Sequence, residues 1–244
     1  MLYLLKRMLQ NIWACKTANR SRSAALWLRC KAKIELIKSN EPITYTAPAS
    51  EETIQRVLEK IRERNIEATA VDDGDEARKL VLELVPKGAE VHSGKSKTLQ
   101  DTGIFDAIYN SGEYDGLRNR YMTMDRKTQG REIRKLIGAP DFMLGSVNAI
   151  TEEGVLVAAS ATAMQIGSYA NTAGKVILVV GSQKIVPDLE TALRRIREYV
   201  LPWEDAQVRK VLSSGSFIGK TLIVEREWVS GRMTVILVRQ PVGI

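Results

Sequence analysis

The chain contains few of the residue types that most often build metal and redox centres. It has two cysteines, Cys15 and Cys30, and one histidine, His92. No cysteine follows Cys30, so the larger part of the chain has no disulfide framework and no thiolate metal site. A single histidine excludes a multi-histidine metal centre within one chain, and any catalytic triad that needs a histidine elsewhere. We therefore expect no bound metal and no cofactor.

Long apolar runs are also missing. No stretch approaches the roughly 18 consecutive apolar residues that a membrane-spanning helix needs. With 244 residues, the chain is long enough for one sizeable domain and an appendage. These features predict a cytoplasmic protein without a membrane span.

Acidic residues are absent from the first 34 positions, which carry eight Lys or Arg. The whole chain has a net charge of +7, from 36 basic and 29 acidic residues. Without those eight, 28 basic residues stand against 29 acidic ones. The positive charge therefore belongs to the beginning of the chain, and the larger part has no general electrostatic footprint for nucleic acid. We expect no nucleic-acid partner.

Residues 1–48 form this basic extension. Lys6 and Arg7 interrupt its first apolar stretch, which argues against a secretory signal. Its acid-poor composition with Arg and Ser is similar to that of an organelle transit peptide. A poorly ordered extension, or a membrane-surface or partner-binding helix, fits the same residues. We expect residues 49–244 to fold as one α/β domain without it.

The remainder alternates between strand and helix patterns. Ser50 is the predicted cap of a helix in which Ile54, Val57, Leu58 and Ile61 form one apolar stripe. Strands that alternate with helices of 10–15 residues are typical of an α/β protein. The sequence therefore predicts a mainly parallel sheet with helices on both faces, a three-layer, Rossmann-like α/β/α arrangement.

Five further elements are predicted from local patterns. A strand is expected at KVILVVG (175–181), which has the continuous apolar character of a buried parallel strand. One helix is expected through TLQDTGIFDAIYN (98–110), and another after Asp188. The segments LIVERE and MTVILVR are expected to pair as closing strands around Ser230 and Gly231.

Ligands of such sheets collect where strands end and helices begin. The first loop of this kind, residues 92–98, offers glycine, hydroxyls, ammonium groups and helical N–H donors, which suit an anion. Its candidate ligand-binding residues are Ser93, Gly94, Lys95, Ser96 and Thr98. It is not a P-loop, because Ala89 stands where that motif needs its first glycine. The alternative is an ordinary capped helix start.

Three other loops complete the predicted crevice. Glu152, in the second loop, is a candidate base, nucleophile or hydrogen-bond acceptor, although a solvated turn explains it equally well. Ser160 and Thr162 lie in a small-residue stretch that would let a ligand approach the backbone, although tight helix–sheet packing explains these small residues equally well. Gly181, Ser182 and Gln183 end the apolar strand and form the fourth edge.

Residues from about 51 to 244 resemble the LUD domain, the family of lactate-utilisation protein C. Three stretches carry the likeness: SGKSKTLQDTGIFDAI (93–108), NAITEEGVLVAASATAMQIGSYANTAGKVILVVGSQKIVPDLETALRRI (148–196) and GRMTVILVRQPVGI (231–244). Many members have Ala-Glu-Thr-Gly-Thr where this chain has residues 151–155. Glu152 matches the family glutamate, and the hydroxyl residues after it are replaced here.

The resemblance implies a fold similar to sugar-phosphate isomerases, CoA transferases and 5-formyltetrahydrofolate cyclo-ligase. It also implies a role in a three-protein system that oxidises L-lactate to pyruvate, in which partner subunits carry the iron–sulfur chemistry. We therefore expect a protein that binds a small anionic metabolite and acts with iron–sulfur redox subunits. The alternatives are a CoA-transferase-like or isomerase-like enzyme that uses Glu152, and a regulatory subunit without catalysis. A homo-oligomer is compatible with each of these.

Overall fold

The structure, a computed structural model, describes residues 44–211 and 213–244. Predictions for residues 1–43 of the basic extension lie outside the described residues. Residues 45–244 form one compact unit. Within the described part, no helix is long and apolar enough to cross a membrane.

The main sheet has six strands, and every neighbouring pair is parallel. In spatial order the strands are β1 (Glu67–Val71), β10 (Met233–Val238), β7 (Lys175–Gly181), β4 (Phe142–Gly145), β2 (Glu90–Ser93) and β3 (Asp115–Gly116). The predicted parallel α/β sheet is confirmed. Because all six strands run in one direction, their carboxyl ends meet along one edge of the sheet.

Helices connect these strands. They are α1 (Glu51–Glu63), α2 (Gly74–Leu84), α3 (Lys97–Asp101), α4 (Ile104–Tyr109), α5 (Leu117–Tyr121), α6 (Gly130–Gly138), α7 (Leu189–Arg195) and α8 (Leu201–Arg209). A π-helical turn, Ile196–Val200, joins α7 to α8, and another spans Ser168–Thr172. Ser50 caps α1 as predicted, since its side chain accepts a hydrogen bond from the Thr53 backbone N–H.

Buried side chains cover both faces of the main sheet. Val176, Leu178 and Val180 pack with the predicted stripe of α1 on one face, whereas Ile177 and Val179 pack with α2 and α4 on the other. Successive strand residues point to opposite faces, so a strand buried on both sides is apolar throughout. This alternation produces the three layers that the sequence predicts.

A second, four-stranded sheet flanks the first. Its order is β8 (Ile185–Val186), β5 (Ala149–Thr151), β6 (Leu156–Ser160) and β9 (Lys220–Val224). The predicted pairing of the last two strands is wrong, because β9 pairs antiparallel with β6 while β10 lies between β1 and β7. The burial of the two strands explains this. β10 is almost entirely buried and suits the sheet centre, whereas β9 is half exposed and suits an edge.

The predicted helix over residues 98–110 is divided in two. Gly103 adopts φ +68°, a left-handed conformation that ends α3 and allows α4 to start in a new direction. This difference arises at helix ends, where periodicity gives the least information.

The contacts of Tyr45 allow the start of the folded domain to be tested. Its ring centre lies 5.7 Å from the guanidinium carbon of the buried Arg195 and 5.6 Å from the ring of Tyr199. We expect a chain that begins at Thr44 to unfold with nearly the stability of the full chain. A chain that begins at Ala49 should lose about 2 kcal/mol, because it gives up the contact with a desolvated cation.

Urea unfolding of both truncated chains measures the effect. Tyr45→Ala in the full-length chain is the matched control, and it should reproduce most of the loss seen for the chain that begins at Ala49. Loss of folded protein on removal of residues 1–43 alone would show instead that the basic extension completes the core.

Candidate functional site

A cavity of about 600 Å³ opens at the carboxyl edge of the main sheet. The loops after β2 and β4 form one side of it, and β6 with the loop that follows forms another. The helical segment 196–208 and residues 214–218 close the remaining side. This volume lies in the range of small-molecule sites, and the position is the usual one for ligands of open α/β sheets.

Lys184 is the central polar residue of this cavity. It ends a 3₁₀ turn, Ser182–Lys184, that directly follows β7, and it is only 2% exposed. Its Nζ donates hydrogen bonds to the Thr98 hydroxyl at 2.9 Å and to the Ser146 hydroxyl at 3.1 Å. No carboxylate among the described residues forms an ion pair with it.

Burial lowers the pKa of Lys184 to about 7, and the positive charge of Arg195 adds to this effect while Asp101 opposes it. An ammonium group removed from water without a carboxylate loses more solvation than two hydroxyls return. Lys184 is therefore partly neutral near pH 7. An amine that changes charge in this range is a candidate for anion binding and for covalent chemistry.

Arg195 is a second buried cation at this site, and it contacts the cavity lining. It is fully buried on α7, and one Nη donates to the Asn148 carbonyl at 2.6 Å. Its guanidinium carbon lies 5.2 Å from the ring centre of Tyr199, with Tyr45 nearby as described above. Its Nε and other Nη have no hydrogen-bond partner among the described residues, and burial lowers its pKa to about 10. Asn148 lines the cavity, so the hydrogen bond from Arg195 holds this part of the cavity wall in position.

Positive charge is in excess around the cavity. Besides Lys184, the cationic residues that line it are Lys95, Lys97, Arg118 and Arg126. Lys97 forms an ion pair with Asp101, but Lys95, Arg118 and Arg126 have no carboxylate partner among the described residues. Glu204 is the one acidic side chain that lines the cavity in the part of the chain that the structure describes. Such a cleft concentrates anions.

Aromatic side chains hold two of these cations in place. Arg118 donates a hydrogen bond to the Tyr121 hydroxyl at 3.0 Å, and its guanidinium carbon lies 5.6 Å from the ring centre of Phe105. Arg126 lies 5.9 Å from the ring centre of Tyr121. These contacts fix the guanidinium groups while leaving donors free for a ligand.

Six of the predicted ligand-binding residues line the cavity: Gly94, Lys95, Ser96, Thr98, Ser160 and Thr162. Three others do not: Ser93, Gly181 and Ser182. Ser93 is buried behind the wall and accepts a hydrogen bond from Tyr109 at 3.0 Å. Ser182 donates to the Arg239 carbonyl. Gly181 packs against Gln183 and Val242, where a side chain would collide.

Glu152 lies elsewhere. It occupies the turn between β5 and β6, where its carboxylate pairs with Arg56 at 2.5 Å and its side chain is 38% exposed. It does not line the cavity. This turn packs on α1, since a Cβ at Gly154 would meet the backbone of Lys60 and Ile61. The expected position of Glu152 in the crevice is corrected to an outer turn, and its catalytic role stays a prediction that this geometry disfavours.

His92 is buried and stays neutral near pH 7. Both of its ring nitrogens lack a hydrogen-bond partner among the described residues. Burial, followed by the charge of Arg118, lowers its pKa to about 4. It lies outside the cavity lining, and its ring centre is 5.9 Å from that of Tyr121, with the two rings close to perpendicular. It therefore packs behind the site rather than acting in it.

The sequence analysis missed Lys184, Ser146 and Arg195. The fourth predicted loop stops one residue short of Lys184. The sequence feature that could have identified Lys184 is the position of a lysine between the apolar strand β7 and the apolar pair Ile185–Val186. Arg195 is signalled by a charged residue on the buried side of α7, three positions after Ala192. A charged residue at an apolar position is the more informative exception in a helical pattern.

The parallel sheet and the ligand-sized cavity at its carboxyl edge define a Rossmann-like α/β protein. A family model described as the LUD domain matches residues 54–238, and the chain belongs to the LUD domain family. The predicted family resemblance is therefore confirmed.

A DUF162 family protein from Deinococcus radiodurans, known from a crystal structure, is similar at 13% identity with a TM-score of 0.47. That likeness covers 81% of this chain and 99% of the other. No curated protein matches the chain.

Proposed function

We propose that the chain binds a small anionic metabolite in the cavity around Lys184. The main support for this proposal is the excess of cationic side chains that line the cavity. Three of them, Lys95, Arg118 and Arg126, have no carboxylate partner among the described residues. Lys184 is buried without a carboxylate partner, which costs free energy, and a carboxylate or phosphate ligand would lower that cost while accepting hydrogen bonds from the more exposed Lys95, Arg118 and Arg126. The ligand would therefore be stabilised mainly by charge-assisted hydrogen bonds.

Family membership supports a 2-hydroxy acid such as lactate as the ligand class. A hydroxy acid offers a carboxylate to Arg118 or Arg126, and a hydroxyl that can hydrogen-bond to Lys184, Thr98 or Ser146. The cavity is larger than lactate itself, so longer acids of the same class also fit its volume.

Electron transfer would be carried out by partner subunits that contain iron–sulfur clusters. Residues 44–244 contain no cysteine, so this part of the chain supplies no thiolate for an iron–sulfur cluster. The chain would then hold or deliver the acid while a partner accepts electrons. Affinity purification of the tagged chain followed by iron analysis of what it captures tests this part. Capture of partners without iron would contradict it.

Anion binding gives a direct prediction. L-Lactate, pyruvate or inorganic phosphate should raise the melting temperature of the purified protein, because ligands that bind only the folded state stabilise it. Lys184→Met, and separately the double variant Lys95→Ala, Ser96→Ala, should abolish most of that rise. Calorimetric titration measures the same loss as a weaker affinity.

Lys79→Met is the matched control, since Lys79 is an exposed lysine on α2, outside the cavity. It should keep the full response to each anion. An unchanged rise in Lys184→Met would show that anions bind elsewhere and would remove the proposed site.

A further inference from the structure

We propose that Lys184 is a carbonyl-reactive amine that forms an imine with a small 2-oxo acid held in the cavity. The inference rests on the proposed anion site and deepens it, because it names both the ligand class and the atom that reacts. Three features of the described residues support it: the hydrogen-bond pattern around Nζ, the neighbouring charge of Arg195, and the cations that line the same cavity.

The hydrogen bonds around Lys184 leave one position on its nitrogen free. Nζ donates to Thr98 and Ser146, and these hydroxyls send their own protons elsewhere. Thr98 donates to the Ser146 hydroxyl at 3.3 Å, and Ser146 donates to the Val147 carbonyl at 3.3 Å. A neutral amine has two N–H groups and one lone pair. Both N–H groups are therefore used, and the lone pair remains for an electrophile.

The charged form of Lys184 fits this environment less well. An ammonium has three donors, and only two acceptors contact Nζ among the described residues. Burial and Arg195 lower the pKa to about 7, so a substantial neutral fraction exists near neutral pH. A lysine whose pKa is depressed in this way is a nucleophile towards carbonyl carbon.

The charge around the site selects the class of carbonyl compound. A protonated imine is cationic, and next to Arg195 it would be unfavourable unless an anion accompanied it. A 2-oxo acid carries a carboxylate bonded directly to the carbonyl carbon, and this carboxylate also suits Arg118 and Arg126 in the same cavity. An uncharged ketone or aldehyde offers neither advantage, so the structure favours 2-oxo acids.

The reaction balances without an oxidant or a reductant. The Nζ lone pair attacks the carbonyl carbon, a C–N bond forms, and the carbonyl π electrons move to oxygen. One proton passes from nitrogen to that oxygen and gives a carbinolamine. The carbinolamine hydroxyl then takes up one proton from solvent and leaves as water, so the C–O bond breaks while the nitrogen lone pair forms the C=N bond of the protonated imine. The hydroxyls of Thr98 and Ser146 already contact Nζ, so they are placed to relay the proton.

Borohydride trapping tests the inference. The full-length protein is incubated with pyruvate, reduced with sodium borohydride, and analysed by intact mass and peptide mapping. We expect one reduced pyruvate adduct on Lys184. Lys184→Arg keeps the positive charge but cannot form the imine, so its adduct should fall at least about tenfold. Lys79→Arg should give the wild-type yield.

Two further ligands make the result decisive. Acetone should give far less adduct than pyruvate, because it lacks the carboxylate. L-Lactate should raise the melting temperature without any adduct, because it lacks the carbonyl. If arginine does not fit at position 184, Lys184→Met replaces it, with circular dichroism as the check of folding.

Failure of the imine and failure of the anion site give different results. Anions that stabilise the protein without an adduct on Lys184 would overturn the imine and leave the anion site standing. An adduct that maps to another lysine would also overturn it. If neither stabilisation nor adduct is seen, both proposals fall.

Discussion

Replacing Arg232 by methionine should lower the free energy of unfolding by about 3–5 kcal/mol, because it leaves a buried carboxylate without its partner. Arg232 and Glu227 are each 7% exposed, and the guanidinium donates to the carboxylate at 2.6 and 2.9 Å. Burial raises the pKa of Glu227, but the hydrogen bonds from Arg232 and from the Val229 N–H outweigh this and lower it overall.

The same guanidinium connects this ion pair to the cavity. Arg232 also donates to the Tyr169 carbonyl at 2.7 Å, and to the carbonyls of Ser168 and Ala173 at 3.3 Å. Tyr169 lies in the π-helical turn and lines the cavity. Its hydroxyl occupies the space that a side chain at Gly145 would take, so this glycine and the turn fit together. Loss of Arg232 should therefore loosen one wall of the site.

Urea unfolding of Arg232→Met, Glu227→Gln and the double variant measures the pair. We expect the double variant to be less destabilised than the sum of the two single variants, since it leaves no unpaired charge. Additive losses of stability would show that the two side chains act independently. A loss below about 1 kcal/mol for Arg232→Met would mean that this ion pair stabilises the fold no more than an exposed ion pair does.

Replacing Lys184 by methionine should change how stability depends on pH. The pKa of Lys184 is about 7 in the folded state against 10.5 for an ordinary lysine. Between these values the unfolded chain binds one more proton than the folded chain, so the wild type gains stability as pH rises. The gain is about 1.4 kcal/mol per pH unit relative to Lys184→Met. Below pH 7 both states are protonated, and the penalty for burying the charge is complete.

At pH 7, Lys184→Met should therefore be the more stable protein by about 2 kcal/mol. Methionine keeps the apolar stem, and the relief of about 4 kcal/mol of charge burial exceeds the roughly 1 kcal/mol for each lost hydrogen bond. Urea unfolding at several pH values, with Lys79→Met as the control, measures the difference. A difference that is the same from pH 7 to 10 would mean that Lys184 keeps its proton in the fold.

Local sequence patterns were sufficient for most of the architecture. The stripe of α1 and the apolar run of β7 each specify an element and its buried face, because 3.6-residue and continuous apolar patterns have few other solutions. The pairing of β9 with β6 was not predictable in this way. It depends on contacts between segments 60 or more positions apart, for example Ser160 with Lys220, which no local pattern encodes.

The candidate site, too, was predictable only where local residue types determine it. The loop over residues 94–98 was predicted because its residue types suit anions wherever they occur. Lys184 was missed because its importance comes from burial, and burial arises only when the loops carrying Thr98 and Ser146 converge on it. Glu152 was misplaced for the converse reason, since β5 carries it from the strand-end edge to an outer turn beside Arg56.

The central claim is that a partly neutral Lys184 lies at the ligand-binding position of the cavity. The most direct measurement is a nuclear magnetic resonance titration of protein labelled with ¹³C at the lysine Cε, with the Lys184 signal assigned by its absence in Lys184→Arg. That signal should titrate with a pKa near 7, as burial dictates, and it should move when pyruvate or L-lactate is added. A signal that titrates like that of an ordinary lysine, and that stays in place at saturating anion, would contradict the account.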